Sequence, residues 1–160
     1  MKNTSAGMPA SVWKYKLKVL LAFLALCLVT ALSGIGFAAE PGAPVKVVYH
    51  INEGLDQASN GLRNIRNHLQ ADPQVKIVVV AHAGGIDFLL KGAQDKNGNS
   101  YDTAVSDLSL QGVEFRVCNV TLQSRHITPD KVLPEAKIVP SGVAEVSRLQ
   151  AKEGFVYLKP

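Results

Sequence analysis

Three residues could do covalent or coordination chemistry and stand at matching places in the pattern: His50, His82 and Cys118. Each follows or closes an apolar run, in VKVVYHI, VKIVVVAH and GVEFRVC. A cysteine works as its thiolate, and a nearby imidazole or helix amino end lowers its pKa from about 8.5. The chain has two cysteines, and Cys27 lies in an N-terminal apolar run, so Cys118 lacks a resolving partner in the rest of the sequence. An internal dithiol–disulfide cycle is thereby excluded. A single thiolate can still accept sulfane sulfur and hand it on as a persulfide. With two imidazoles it is also a donor set suited to copper or zinc. The alternative reading therefore makes Cys118, His50 and His82 metal ligands. The structural alternative for Cys118 is a buried small hydrophobe. Acyl transfer is disfavoured, because no oxyanion site can be named.

Further candidates flank these three. Gly84 and Gly85 follow His82, where they either admit a ligand close to backbone or form a turn. Asn119 and Thr121 follow Cys118, where they either donate to a sulfur anion or cap the next turn, capping being the simpler reading. Gly84, Asn119 and Thr121 are accordingly the ligand-binding candidates. No G-x-G-x-x-G or Walker A pattern is present. His68 falls among polar residues of a helical pattern and is read as a surface group. His126 lies in the loop after Cys118 and is left outside the site.

The elements that must position these groups follow from periodicity. Val45–Ile51, Val75–Ala81 and Val113–Val117 read as strands, the first two almost continuously apolar, as in a sheet covered on both faces. Leu55, Ala58, Leu62, Ile65 and Leu69 recur at helical spacing, and Asp72-Pro73 ends that helix. A short helical piece is expected around Ile86–Leu90, then a polar loop over Lys91–Ser100. Tyr101–Gln111 reads as a helix closed by Gly112. Asn119–His126 fits helix or loop. Thr128-Pro129-Asp130 looks like a helix cap, Lys137–Pro140 a fourth strand, Ser141–Gly154 a last helix and Phe155–Leu158 a fifth strand.

This alternation predicts an α/β fold, a flavodoxin-like three-layer sandwich with a mostly parallel five-stranded sheet. Right-handed crossovers bring all strand carboxyl ends to one edge. In the strand order 2-1-3-4-5 the first strand lies between the second and third. His50, His82 and Cys118 would then span roughly 10 Å of that edge.

The first 38 residues are not read as fold. Lys2, Lys14, Lys16 and Lys18 precede the apolar Val19–Leu32, and Ser33, Gly34, Gly36 and Ala38 follow, as in a secretory signal peptide. The apolar run is short for a spanning helix, which needs about 20 residues; an uncleaved anchor is the alternative. Residues 1–38 are thus the expected signal, 39–44 a tether and 45–160 the domain. The full chain has 17 Lys and Arg against 13 Asp and Glu. Four of the lysines lie in the leader, so the remainder is balanced, with no electrostatic case for nucleic acid or anionic membrane. A periplasmic or secreted location, without membrane association after cleavage, is expected.

The stretches VVYHIN, VVVAHAGGIDFLL, GVEFRVCNVT and IVPSGVAEVSRLQAKEGFVYL together resemble the DsrE/DsrF-like family of sulfur-relay proteins, over about residues 45–158. The resemblance implies a small flavodoxin-like domain that forms homotrimers or homohexamers. It implies a sulfur-carrying cysteine after the third strand, the position of Cys118. It also points to an exported branch in which two strand-end histidines accompany the cysteine. The combined expectation is an exported sulfur carrier, sulfurtransferase-like at most, requiring no cofactor. Its partners would be small sulfur species or a sulfur-donor or acceptor protein. Copper or zinc binding is the first alternative and a non-catalytic structural or regulatory oligomer the second.

Overall fold

The computed structural model describes residues 42–160. The signal expected over residues 1–38 and the first half of the 39–44 tether lie outside the described residues. Pro44–Pro160 form one compact unit. Its strands are β1 (Lys46–Ile51), β2 (Lys76–Ala81), β3 (Glu114–Cys118), β4 (Ala136–Val139) and β5 (Val156–Leu158), and its helices α1 (Leu55–Ala71), α2 (Tyr101–Leu110), α3 (Asn119–Ser124) and α4 (Gly142–Glu153). Short 3-10 segments occupy Ala83–Leu89 and Pro129–Lys131. The piece expected near Ile86 is therefore a 3-10 turn that starts directly after His82, and Asn119–Ser124 resolves as helix.

All strand pairs are parallel. The strand order is β4-β3-β2-β1-β5, not the 2-1-3-4-5 anticipated. Central place goes to β2, whose residues from Ile77 to Ala81 are all buried. Because β1 is almost as apolar, hydropathy alone could not separate the two. β5 joins the sheet beside β1, so α4 must carry the chain from one edge of the sheet to the other, packing on β1, β2 and β3 as it crosses.

The side-chain period of two sorts the sheet into faces. Val47, Tyr49, Ile51, Ile77, Val79, Val113, Phe115 and Val117 point into the larger core, beneath α1, α2 and the 83–89 segment. Val48, Val78 and Val80 form a smaller core on the opposite face with Val146 and Leu149 of α4. By register, Val48 pairs with Val78 and His50 with Val80, while Val80 pairs with Arg116. His50, Arg116 and Cys118 therefore share the α4 face, as does the position of His82 one step past β2. The same alternation that buries Phe115 thus aims the chemistry-bearing side chains toward the amino end of α4.

Candidate functional site

The His50 and His82 rings meet. Their Nε2 atoms are 2.6 Å apart, with ring centroids 4.7 Å apart and planes 28° from parallel. Because Nε2 faces Nε2, one ring donates the shared hydrogen and the other accepts it. His50 Nδ1 lies 2.8 Å from the hydroxyl of Tyr157. Tyr157 can reach it because β5 pairs with β1, with Tyr157 opposite Val48. Sequence reasoning gave Tyr157 no role, since the placement depends on which edge β5 joins.

Burial lowers the pKa of both histidines. For His50 the neighbouring His82 and Lys159 lower it further, against an opposing pull from Glu53. Glu53 and Lys159 form an ion pair beside the ring. Both shifts favour the uncharged imidazole, which suits a pair sharing one hydrogen.

Cys118 is 4% exposed. It occupies the N-cap position of α3, but its sulfur makes no capping hydrogen bond. Burial pushes the thiol up. The backbone N–H groups of Gly142, Thr121 and Val120 and the Thr121 hydroxyl outweigh burial and hold the thiol below its ordinary value. None of these donors closes a well-aligned hydrogen bond, so their influence is the electrostatic pull of oriented dipoles. The sulfur is therefore enclosed by polar hydrogens rather than by apolar packing alone.

Gly142 ties the two halves of the site together. A Cβ placed there would stand 3.0 Å from the His82 Cβ and 3.2 Å from the Cys118 Cβ. Only the missing side chain lets the first residue of α4 come between them with its N–H toward the sulfur. Ser141 caps α4 by accepting from the Ala144 N–H. No hydrogen bond joins the thiol to either imidazole among the described residues. Cys118 and His82 are neighbours across Gly142.

Thr121 and Gly84 part company among the ligand-binding candidates. The Thr121 hydroxyl approaches the sulfur and accepts from the Ala83 N–H at 3.0 Å. Thus it links α3 to the residue after His82. Ala83 holds a left-handed φ of 50°, which costs a non-glycine residue energy. Arg125 donates to the Ala83 carbonyl at 3.3 Å and pairs with Asp87 at 2.6 Å, bracing the turn. Gly84 meets nothing closer than 3.6 Å. It is Gly85 that has no room, since a Cβ there would lie 2.2 Å from the Ile51 carbonyl oxygen. The Gly-Gly pair thus packs the 83–89 segment onto the end of β1. Asn119 starts α3 half-buried, with no hydrogen bond to the sulfur among the described residues.

His68, read from sequence as a solvated surface group, is instead half-buried with Nδ1 3.0 Å from the Tyr49 hydroxyl. His126 is exposed at a left-handed φ of 54°. Among the described residues no three His, Cys, Asp or Glu side chains are arranged to hold a metal ion. Of Cys118, His50 and His82, the two imidazoles face each other at Nε2, and the thiol faces backbone donors. The best-formed clefts are lined by α1, α2 and loop residues such as Ser59, Arg66, Tyr101 and Asp102, without the site residues. The walls of those clefts carry neither cysteine nor histidine.

An all-parallel α/β domain with a polarised thiol and an imidazole pair at its carboxyl rim is the class defined so far. The chain belongs to the DsrE/DsrF-like family, whose model matches residues 38–160. Among solved structures it is similar to a protein of unknown function from Methanobacterium thermoautotrophicum. That likeness has 32% identity and a TM-score of 0.65, covering 72% of this chain and 99% of the other. It is also similar in fold to the ychN protein from E. coli, at 15% identity and a TM-score of 0.62, with the same coverages of 72% and 99%. No match is found among curated proteins.

Proposed function

We propose that this protein is an exported sulfur carrier that holds sulfane sulfur as a persulfide on Cys118. The single observation that supports it most is the thiol's setting. A family cysteine at the end of β3 is kept below its ordinary pKa by converging N–H groups despite burial. A thiolate so held can attack the outer sulfur of a persulfide or polysulfide. The adjacent rings of His50 and His82 provide proton donors and acceptors near it. The enclosure of Cys118 favours a small sulfur species as donor. The family supports sulfur handling in general; the persulfide, export and the donor are our reading.

Mass spectrometry of the full-length protein after polysulfide treatment tests it. The expected result is a gain of one sulfur atom, reversed by a thiol reductant and missing in Cys118→Ser. Wild-type protein that gains no sulfur from polysulfide or from a low-molecular-weight persulfide overturns the proposal. N-terminal sequencing of protein recovered from the cell envelope tests export, with a start near Ala39 as the expected outcome.

A further inference from the structure

We propose that His50 Nε2 and His82 Nε2 form a two-coordinate site for a cuprous ion, with the Tyr157 hydroxyl holding the His50 ring by its other nitrogen. The site does not draw on Cys118, so it stands or falls apart from the sulfur-carrier reading.

Two nitrogens that face each other define the site. The Nε2 atoms are 2.6 Å apart and the ring centroids 4.7 Å apart, with planes 28° from parallel. The centroids are thus further apart than the nitrogens by nearly two ring radii. The two in-plane lone-pair directions therefore lie close to one line, head to head. Only one hydrogen fits between two such nitrogens. A cation that accepts both lone pairs is the other occupant this geometry suits. Burial favours the uncharged form of both rings, which keeps those lone pairs available. The backbones on either side are fixed. His50 pairs with Val80 in the parallel ladder, and the His82 N–H extends that ladder by donating to the Ile51 carbonyl at 3.1 Å. Adjacent strands, not a loop, bring the rings together.

Ligand number chooses the ion. No third His, Cys, Asp or Glu completes a cluster among the described residues. Zinc takes four ligands in structural sites and three protein ligands in catalytic ones. A cuprous ion, with its filled d shell, accepts two donors in line, and imidazole suits copper. Charge points the same way. Lys159 acts on the His50 ring as a positive neighbour, opposed by the Glu53 carboxylate that pairs with it. One positive charge between the rings meets less of the lysine's repulsion than two would. Metal–nitrogen bonds of about 2.0 Å need the nitrogens further apart than they stand, and a small rotation of the two half-buried rings supplies that. The outer partner is already in place. A metal-bound histidine commonly gives its other N–H to a fixed oxygen. With Nε2 on the ion, His50 carries its hydrogen on Nδ1 and donates it to the Tyr157 hydroxyl, 2.8 Å away. Tyr157 is held there by the pairing of β5 with β1.

The test titrates Cu(I), kept reduced by ascorbate without oxygen, into the full-length protein carrying Cys27→Ser, with bicinchoninate as the coloured competitor. The chain has two cysteines, so this background leaves Cys118 as its one thiol. One Cu(I) per chain is expected to be withdrawn from the competitor and to stay bound under an excess of zinc. X-ray absorption at the copper edge is expected to show two nitrogen neighbours and no sulfur. Adding Cys118→Ser should leave the ion bound. His50→Ala and His82→Ala should each lose it. Tyr157→Phe, which keeps the packing ring, should weaken binding about tenfold, the smaller end of outer-shell effects. The absorption spectrum needs no substitution at the histidines, so it decides even where a histidine variant fails to fold. Copper left with the competitor, sulfur among its neighbours, loss of the ion in Cys118→Ser, or displacement by zinc overturns the site. Unchanged affinity in Tyr157→Phe overturns the part given to Tyr157.

Discussion

At the scale of single residues, the reactivity of Cys118 depends on hydrogens aimed at it more than on the imidazoles nearby. Thr121 is the one side chain among those donors, so it is the place to intervene. Thr121→Val keeps the shape and removes the hydroxyl. One lost donor is worth about 1 kcal/mol, so the thiolate population at a fixed pH below the midpoint should fall about fivefold. Iodoacetamide alkylation followed across pH measures this. Because the same hydroxyl accepts from Ala83 N–H, the substitution also unties the turn after His82. Thr121→Ser, which keeps the oxygen, is expected to restore both the midpoint and the rate. Equal midpoints in Thr121→Val and wild type would assign the lowered thiol to backbone alone. Of the six site candidates legible in the sequence, Cys118 and the two histidines stood out because strand ends share a rim. Thr121 carried only a capping signal, and Tyr157 carried none. The Gly142 N–H is backbone, and its aim is fixed by a glycine that reads like any helix start.

At the scale of elements, one glycine and one ion network decide whether the rim assembles. Gly85→Ala would drive a methyl into the Ile51 carbonyl at 2.2 Å, whereas Gly84→Ala meets nothing under 3.6 Å. Overpacking costs about 1–3 kcal/mol, and backbone cannot yield as a side-chain tip can. Thermal melts should show Gly85→Ala losing at least that much while Gly84→Ala stays close to wild type. The network holds α4 against β3. Glu145 pairs with Arg116 and, at 2.8 Å, with Arg148. Hydrogen bonds from Arg148 foremost, opposed by burial and joined by Arg116, lower its pKa from 4.5 to about 2. A carboxylate with a depressed folded pKa stabilises fully above its unfolded value. That contribution is lost as pH falls through the folded one. The wild-type protein is therefore expected to lose stability between about pH 4.5 and 2 through this group. Glu145→Gln should cost about 2 kcal/mol at pH 7, with the gap to wild type narrowing on acidification. Denaturant titrations at pH 7 and pH 3 check both parts. The strands and helices themselves were readable because Val113, Phe115 and Val117 alternate with Glu114 and Arg116, and because Leu55 to Leu69 keeps a helical period. The strand order was not readable: it is decided by which of two equally apolar strands lies in the middle, and short-range pattern is silent on that.

At the scale of the whole molecule, the outermost strand poses the open question. All three residues of β5 are exposed, with Val156 at 56% and Leu158 at 39%. Val45, just before β1, is also half exposed. A sheet edge that shows apolar side chains and unpaired backbone groups invites pairing with another chain. Proteins usually blunt such edges with charge or cover them; here Lys159 is the nearest charge in sequence, and it is engaged with Glu53. A second copy of the same chain is the simplest cover, in line with the trimer or hexamer that the family resemblance implies. Static light scattering of residues 39–160 is expected to give a mass of three or six subunits. Val156→Asp combined with Leu158→Asp places two carboxylates on the strand without touching the His50–Tyr157 contact. The expected outcome is a monomer that keeps its helical circular dichroism. If the double variant keeps the wild-type mass, assembly runs through another surface. The exposed Val120 and Val143, which follow the two helix starts beside Cys118, would be the next to carry charge. The two outcomes also differ for the site. Assembly over β5 would bring a neighbouring copy to Tyr157 and its contact with His50. Assembly over Val120 and Val143 would bring it to the thiol, where it would govern how a sulfur donor enters.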